Sequence, residues 1–473
     1  MPSAKDLQKT LSYKRRNFWK EAPVGEREAA LAFAVPYMRF LDSARTVRAC
    51  VNHFANLLTD AGWKNMTNGE KANKMFYVSR GKVLAAVRLG TEPVSAGLNV
   101  VAAHIDAPRI DLKPVPLYED DKAGLAMLRT HYYGGIKKYQ WMSTPLALMG
   151  VVVKRDGEII DIHIGDSEDD PVFVMPDLLP HLAGKVQTPK KIDDAVDASR
   201  LNVVFGSMPF IDDEEDADLK ETVKLQALRL LHERYGITEA DLLSAELELV
   251  PAGRARDAGL DSSMILAYAQ DDRVCSFAGM QALLDAEAPR RTMVALLIDK
   301  EETGSEGNTG AASFIVEDFV ADLLAIVGED SGSYNLRKTL IRSHILSADV
   351  NAAINPNFHS VLEENNAVHL GCGVALAKYS GHAGKSNCND SNAEFAARVS
   401  HIFDDADVFW QTGELGKTDE GGGGTIAKFL ARFGADVIDC GAGLLGMHAL
   451  YELSSKADVY CTYRAYKAFL EKA

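Results

Sequence analysis

The segment Thr292–Gly310, TMVALLIDKEETGSEGNTG, combines a buried-strand pattern with a pair of adjacent carboxylates. Its residues 293–298 form an uninterrupted apolar run, and turn residues follow, which is typical of a central strand in an α/β sheet. Ligands bind at the carboxyl ends of such strands. Glu301 and Glu302 therefore stand where chemistry is expected, and one can bind a metal while its neighbour faces a water molecule. The alternative is that both are solvated loop residues.

Length and composition indicate a globular protein of 473 residues, with 47% hydrophobic and 25% charged residues. This length predicts about two to three domains. The net charge is −16 without a lysine- or arginine-rich block, so neither nucleic acid nor a membrane is an expected partner. No uncharged apolar run reaches the roughly 18 residues of a membrane span, and the first residues lack a signal-peptide core. The six scattered cysteines, without a C-x-x-C pair, favour reduced thiols in a cytoplasmic protein.

The pattern along the chain predicts an α/β fold with a mixed sheet and helices on both faces, divided by an insertion. We assign residues 1–114 and 249–473 to one discontinuous domain, in which a buried strand over 98–103 leads into His104. Residues 115–248 contain short strand-like runs, many turns and no cluster of candidate catalytic residues. We therefore expect this segment to be an inserted β-rich domain, with its acidic stretch at 212–218 forming a solvated loop.

Five potential metal ligands each follow an apolar run or turn in the α/β part: His104, Asp271, Glu302, Asp349 and His448. Two metal ions about 3.5–4 Å apart need a bridging carboxylate and two further ligands each, so five residues suffice if one aspartate bridges. Zinc accepts this mixture of imidazole nitrogen and carboxylate oxygen. Taken singly, each signal is weak, because a lone histidine or aspartate is usually structural. Their combination in one order favours a metal centre.

Two acidic residues complete the predicted centre. Asp106, two residues after His104, can accept the other ring N–H of that histidine and so fix its tautomer. Glu301 can take a proton from a water molecule held at the metals.

The segments that carry these residues together resemble the aspartyl aminopeptidase and aminopeptidase I family of dizinc metallopeptidases. They are AAHIDAPRIDLKP, GLDSSMILAYAQDDRVCSFAG, LLIDKEETGSEGNTGA, ILSADVNAAINPNF and GMHALYELSSKAD, and the resemblance covers nearly the whole chain. It implies that Asp271 bridges two metals, that His104 and Asp349 complete one of them, and that Glu302 and His448 complete the other.

Further properties follow from the same resemblance. It implies Glu301 as general base, Asp106 as the orienting acid and a cis peptide bond between Asp271 and Asp272. It also implies that 115–248 is a dimerisation domain and that the subunits assemble into a hollow tetrahedral homododecamer. In relatives a histidine of that domain reaches a neighbour's active site, and His181 is at the matching place; the alternative is an ordinary surface histidine.

The predicted function is a cytoplasmic, metal-dependent aminopeptidase that removes N-terminal residues from peptides. Two Zn²⁺ ions fit the ligand types best, and Co²⁺ or Mn²⁺ is also possible. One alternative is a related dizinc carboxypeptidase or deacylase, which uses the same arrangement of metal ligands. Another is a non-catalytic assembly protein with structural metals, but a purely structural site needs no general base such as Glu301.

Substrate preference depends on whether the pocket offers a cation, because a buried carboxylate without a partner is costly. Lys385 is the candidate to meet a substrate carboxylate, although Asp390 adds a competing negative charge nearby; the alternative is a solvated loop lysine. Residues 350–355 lack the histidines associated with acidic-specific family members. We therefore predict neutral or apolar N-terminal residues, with N-terminal Asp or Glu as the alternative. Gly423 and Gly424 offer backbone N–H groups for a peptide, or form a tight turn.

Overall fold

The computed structural model describes residues 2–211, 219–287 and 289–473. The acidic stretch at 212–218 lies outside the described residues, so its prediction as a loop stays a prediction. Among the residues described, no helix has the length and apolar character needed to cross a membrane.

The strands are, in chain order, β1 (Lys64–Asn65), β2 (Lys74–Ser79), β3 (Val83–Arg88), β4 (Leu98–His104), β5 (Arg109–Asp120), β6 (Leu125–Tyr133), β7 (Leu146–Val153), β8 (Ile159–Ile164), β9 (Val203–Gly206), β10 (Glu246–Pro251), β11 (Arg256–Ala258), β12 (Met264–Ala267), β13 (Thr292–Ile298), β14 (His344–Ala348), β15 (Asn351–Ala352), β16 (Val374–Ala377), β17 (Trp410–Thr412), β18 (Asp436–Gly441), β19 (Gly443–Leu445) and β20 (Glu452–Ser455).

The α-helices are α1 (Ala4–Leu11), α2 (Phe18–Glu21), α3 (Val24–Ser43), α4 (Val47–Asp60), α5 (Pro180–Ala183), α6 (Ile192–Ala195), α7 (Thr222–Tyr235), α8 (Gln270–Asp285), α9 (Ile315–Val327), α10 (Ser333–Ile341), α11 (Ala393–Asp405), α12 (Ala427–Ala431) and α13 (Lys456–Lys472).

The largest sheet has nine strands in the order β1-β2-β3-β13-β4-β14-β18-β16-β17. Its centre is parallel, because β13, β4, β14 and β18 pair with one another in the same direction. Strand β3 on one side and β16 on the other pair antiparallel with this centre, which makes the sheet mixed. The predicted α/β mixed sheet is confirmed, and the apolar run of 293–298 forms most of its strand β13.

Helices cover both faces of this sheet, as predicted. Side chains along β13 alternate between two separate apolar cores, with Leu297 in one core and Leu296 in the other. Helices α3, α4, α8, α11 and α13 contribute to the first core, and α9, α10 and α12 to the second. A strand that is buried on both faces must be apolar at consecutive positions, which explains the uninterrupted run in the sequence.

A second sheet of six antiparallel strands, in the order β8-β7-β10-β5-β6-β9, is built from the chain between Arg109 and Pro251. Helix α7 packs on it around a third apolar core. The strand-like runs at 146–153 and 159–164 form β7 and β8 as expected. The predicted domain limits, after residues 114 and 248, fall inside β5 and β10. The division into two domains stays a prediction.

Two helices begin later than the sequence pattern indicates. The sequence pattern predicts a helix around residues 311–324, but the helix begins at Ile315, because the Ala312 N–H still bonds back to Ser305 in the turns after β13. The sequence also predicts a helix that opens at the glycine run 421–424, yet α12 begins at Ala427. Gly422 has a φ of +120°, which a right-handed helix cannot contain.

Candidate active site

The parallel centre of the large sheet brings four site residues to one edge. His104 is the last residue of β4, and the register places it opposite Ile298, the last residue of β13. Glu301 and Glu302 follow β13 in a tight turn, and Asp349 directly follows β14, which is the other neighbour of β4. The carboxyl ends of parallel strands form a crevice of this kind in α/β proteins.

The remaining predicted ligands come from a third sheet, in the order β11-β12-β20-β19-β15. Asp271 lies at the start of α8, just after β12, and the Asp271–Asp272 peptide bond is cis, as the sequence resemblance implied. His448 lies in the loop between β19 and β20. Because β12 pairs with β20, both loops emerge at the same end of this sheet.

Asp271 lies between two sets of potential ligands. Its Oδ1 is 3.0 Å from Nε2 of His104, and that nitrogen is 3.9 Å from Oδ1 of Asp349. Its other oxygen, Oδ2, is 3.2 Å from Nε2 of His448, which is 3.5 Å from Oε2 of Glu302. All five sequence-predicted ligands are therefore brought together, with one carboxylate facing both sets.

These distances fit a zinc site. Zinc bonds of about 2.0–2.1 Å in a tetrahedron separate the ligand atoms by about 3.3 Å. Oε1 of Glu302 is buried and lacks a hydrogen-bond partner, as expected for an atom that has a cation as partner when the site is filled. Asp272 also approaches, since a carboxylate oxygen lies within 4.8 Å of ligand atoms of His104 and Asp349. No sequence pattern distinguished Asp272 as a candidate ligand.

The site concentrates negative charge in a buried place. Burial raises the pKa of Glu302 and of Asp349 well above the usual range, and in each case the charge of Asp271 adds to the effect. Burial likewise raises the pKa of Glu301 to about 7, and the charges of Asp106 and Asp271 contribute. A bound divalent cation favours the charged form of each of these groups.

Asp106 holds the turn that carries the two glutamates. Its Oδ1 accepts the backbone N–H of Glu301 at 3.0 Å, and its Oδ2 accepts that of Glu302 at 3.1 Å. The contact with His104 differs in detail from the predicted one. Nδ1 of His104 lies 3.1 Å from the backbone carbonyl oxygen of Asp106 and 3.4 Å from its carboxylate. Either oxygen is an acceptor, so Nδ1 carries the hydrogen and Nε2 faces Asp271.

A cavity of about 230 Å³ opens from these residues. Its lining includes Gly423 and Gly424, which sequence analysis had proposed for peptide binding. Lys385 is not part of it. The ammonium group of Lys385 lies 2.9 Å from Asp390 and 3.9 Å from the centre of the Tyr379 ring, beside a neighbouring cavity. His181 is exposed in the short helix α5.

Comparison with known proteins identifies the family. The family model of aminopeptidase I zinc metalloproteases (M18) matches residues 40–470. A probable M18 family aminopeptidase 1 from Clostridium acetobutylicum is 45% identical over 462 residues, which cover 96% of this chain and 98% of the relative. The chain belongs to the M18 family of aminopeptidase I zinc metalloproteases. It is accordingly a metal-dependent aminopeptidase, a hydrolase, and the carboxypeptidase, deacylase and non-catalytic alternatives fall away.

Solved structures agree with this M18 assignment. The crystal structure of an M18 aminopeptidase from Thermotoga maritima superposes with a TM-score of 0.92 at 43% identity, covering 98% of this chain and 100% of that one. A structure described as the mApe1 dodecamer of Saccharomyces cerevisiae has a TM-score of 0.74 at 24% identity, covering 95% of this chain and 97% of that one. The second likeness shows a shared fold.

Glu452 is a residue of this M18 site that the sequence analysis missed. Its carboxylate is buried, and it accepts the backbone N–H of Asp271 at 2.9 Å and that of His448 at 2.8 Å. Burial raises the pKa of Glu452 to about 8, and the charge of Asp271 adds to this. In the sequence, Glu452 stands four residues after His448, within GMHALYELSSKAD. Only the pairing of β12 with β20 shows that its carboxylate binds the backbone at both Asp271 and His448.

Replacing Glu452 with glutamine should weaken zinc binding. The amide has one acceptor oxygen, so the backbone N–H of either Asp271 or His448 loses its acceptor. We expect a loss of zinc affinity of about 10- to 100-fold, the range found when groups supporting metal ligands are changed. Chelator competition measures it, with Glu28→Gln, an exposed glutamate of α3, as the control. Unchanged zinc affinity in Glu452→Gln would show that this carboxylate does not hold the ligands.

Proposed function

We propose that this aminopeptidase binds two zinc ions, with Asp271 as the bridging ligand. On one side lie His104 and Asp349, and on the other Glu302 and His448. The observation that carries this proposal is that the two oxygens of Asp271 face separate pairs, at 3.0 Å from His104 and 3.2 Å from His448. Bound zinc supplies Lewis-acid polarisation of a carbonyl group and activation of water.

We assign the general base to Glu301. The bridging scheme does not use its carboxylate, and Glu301 lines the same cavity as His104, Asp271 and His448. Its carboxylate accepts a proton from the attacking water and returns it to the amine of the departing peptide. Asp106 keeps Glu301 in place by accepting its backbone N–H.

The cavity favours an uncharged or apolar N-terminal residue. Its lining includes apolar side chains, among them Val350, Leu415 and Met447. The residues lining it within the described part of the chain include no lysine or arginine, and Lys385 is paired with Asp390 instead. A substrate carboxylate would also meet Asp439, a buried acid of this lining. The alternative is a preference for N-terminal Asp or Glu. In that case a residue outside the cavity lining supplies the cation that pairs with the substrate carboxylate.

The assembly and location remain proposals. We propose that the segment 115–248 is the dimerisation domain and that twelve chains form a tetrahedral shell. The support is the family resemblance and the description of the yeast neighbour as a dodecamer. In such a shell the exposed His181 reaches the active site of a neighbouring chain. The six cysteines are free, as a reducing cytoplasmic location requires.

Zinc content tests the two-metal proposal. We expect two zinc ions per chain by mass spectrometry after dialysis against metal-free buffer. Removing them with a chelator should abolish peptide hydrolysis, and Zn²⁺, Co²⁺ or Mn²⁺ should restore it. Circular dichroism before and after chelation distinguishes loss of metal from loss of fold. Full activity with a single ion per chain would contradict the proposal.

Replacing Glu301 with glutamine tests the general base. The amide has the same shape but cannot take up the proton, so kcat should fall by at least about 100-fold while zinc content stays at the wild-type value. Glu306→Gln is the matched control, because Glu306 is an exposed glutamate in the same turn region. Near-normal turnover in Glu301→Gln would remove this residue from the mechanism.

A series of substrates tests the proposed specificity. We expect kcat/KM for N-terminal Leu, Met or Ala to exceed that for Asp or Glu at a single pH, because the described residues that line the cavity include no lysine or arginine. A preference for Asp or Glu above about tenfold, equivalent to about 1.4 kcal/mol in the transition state, would overturn this choice.

A further inference from the structure

The segment Tyr133-Gly134-Gly135 reaches the catalytic centre from the second sheet. Tyr133 is the last residue of β6, and its hydroxyl donates to Oδ2 of Asp106 at 2.8 Å. The same oxygen accepts the backbone N–H of Glu302, while Oδ1 accepts that of Glu301. Asp106 is fully buried. The tyrosine is therefore a side-chain donor to the carboxylate on which both glutamates depend, in addition to the nearby Nδ1 of His104.

Tyr133 is itself held by a partly buried ion-pair network. The guanidinium group of Arg109 lies 3.7 Å from the centre of the tyrosine ring, and β5 and β6 place these two residues directly opposite each other. Arg109 pairs with Asp111 at 2.8 Å and with Glu248 at 3.2 Å. The ring is thus fixed by a cation over its face, so its hydroxyl has a defined direction towards Asp106.

The two glycines approach the other half of the centre. The carbonyl oxygen of Gly135 lies 3.0 Å from Nδ1 of His448. A carbonyl only accepts, so Nδ1 carries the hydrogen, and Nε2 presents its lone pair towards Asp271 and Glu302. Space here is limited, because a Cβ on Gly135 would lie 3.3 Å from Nδ1 of His448, and one on Gly134 would lie 3.3 Å from Cβ of Glu302.

We propose that Tyr133-Gly134-Gly135 is a positioning segment, through which the second sheet holds both the general base and a metal ligand in place. Tyr133 acts on Glu301 through Asp106, and Gly135 sets the tautomer and orientation of His448. This proposal rests on the proposed roles of Glu301 and His448. It gives the segment 115–248 a direct part in the catalytic geometry, beyond assembly and in addition to any contribution from His181.

The variant Tyr133→Phe tests the hydroxyl, with Tyr132→Phe as matched control because Tyr132 is the adjacent tyrosine and is 40% exposed. We expect Tyr133→Phe to lower kcat by about 10- to 100-fold while KM stays within about threefold, and to weaken zinc binding in a chelator competition by at least about fivefold. The control should match the wild type in all three quantities. Wild-type kcat and zinc affinity in Tyr133→Phe would overturn the proposal.

The other outcomes distinguish a failure of the positioning role from a failure of the proposed function. If Tyr133→Phe does not fold while Tyr132→Phe does, as judged by circular dichroism and gel filtration, the hydroxyl is structural and the positioning role is rejected. If the wild-type protein itself binds no zinc or does not cleave peptides, the proposed function fails. A wild type with two zinc ions and an unaffected Tyr133→Phe variant rejects the positioning role alone.

Gly135→Ala tests the second contact independently. The added methyl group would press on Nδ1 of His448, so we expect zinc affinity to fall by at least about tenfold. Gly184→Ala is the control, because a Cβ at that position meets no atom within 4 Å. Equal zinc affinities in the two variants would show that the backbone of this segment does not position His448.

Discussion

The repulsion among buried carboxylates is the constraint on which the rest of the structure depends. Asp271, Glu302 and Asp349 meet within a few ångströms of one another, together with two histidines. The described residues that line the cavity include no lysine or arginine to offset this charge. Bound cations and hydrogen bonds to the carboxylates stabilise such an arrangement. The three sheets position the candidate ligands and the hydrogen-bond donors that hold their carboxylates.

Much of this centre could be predicted because parallel strands impose a simple rule. A strand buried on both faces is visible as an apolar run, and its carboxyl end is where the chain turns and polar residues appear. His104, Glu301, Glu302 and Asp349 follow β4, β13 and β14 in this way, so their meeting follows from local patterns and the topology. Asp271 and His448 follow short strands of another sheet; the same pattern marked them as candidate ligands, and the resemblance to the family implied how they are shared between two metals.

The supporting contacts could not be predicted, because they depend on register between strands that are distant in sequence. Glu452 holds Asp271 only because β12 and β20 pair. Tyr133 reaches Asp106 only because β5 and β6 pair with Arg109 opposite Tyr133. Lys385 was a candidate for a substrate contact because of its position in the sequence. In the structure its ammonium group is paired with Asp390, beside a neighbouring cavity and not in the lining of the cavity at the centre. Single residue types carry no information about such partners.

The backbone anchoring by Asp106 and Glu452 has a consequence for mutation. These two carboxylates accept hydrogen bonds from backbone N–H groups, namely those of Glu301, Glu302, Asp271 and His448. Every residue except proline supplies such a backbone group. The scaffold of the centre is therefore insensitive to which side chains it displays. Substitution of the side chain at position 301 by any residue except proline leaves these hydrogen bonds, and with them the turn, in place. Loss of activity and loss of the fold are therefore separate events in a centre that is anchored in this way.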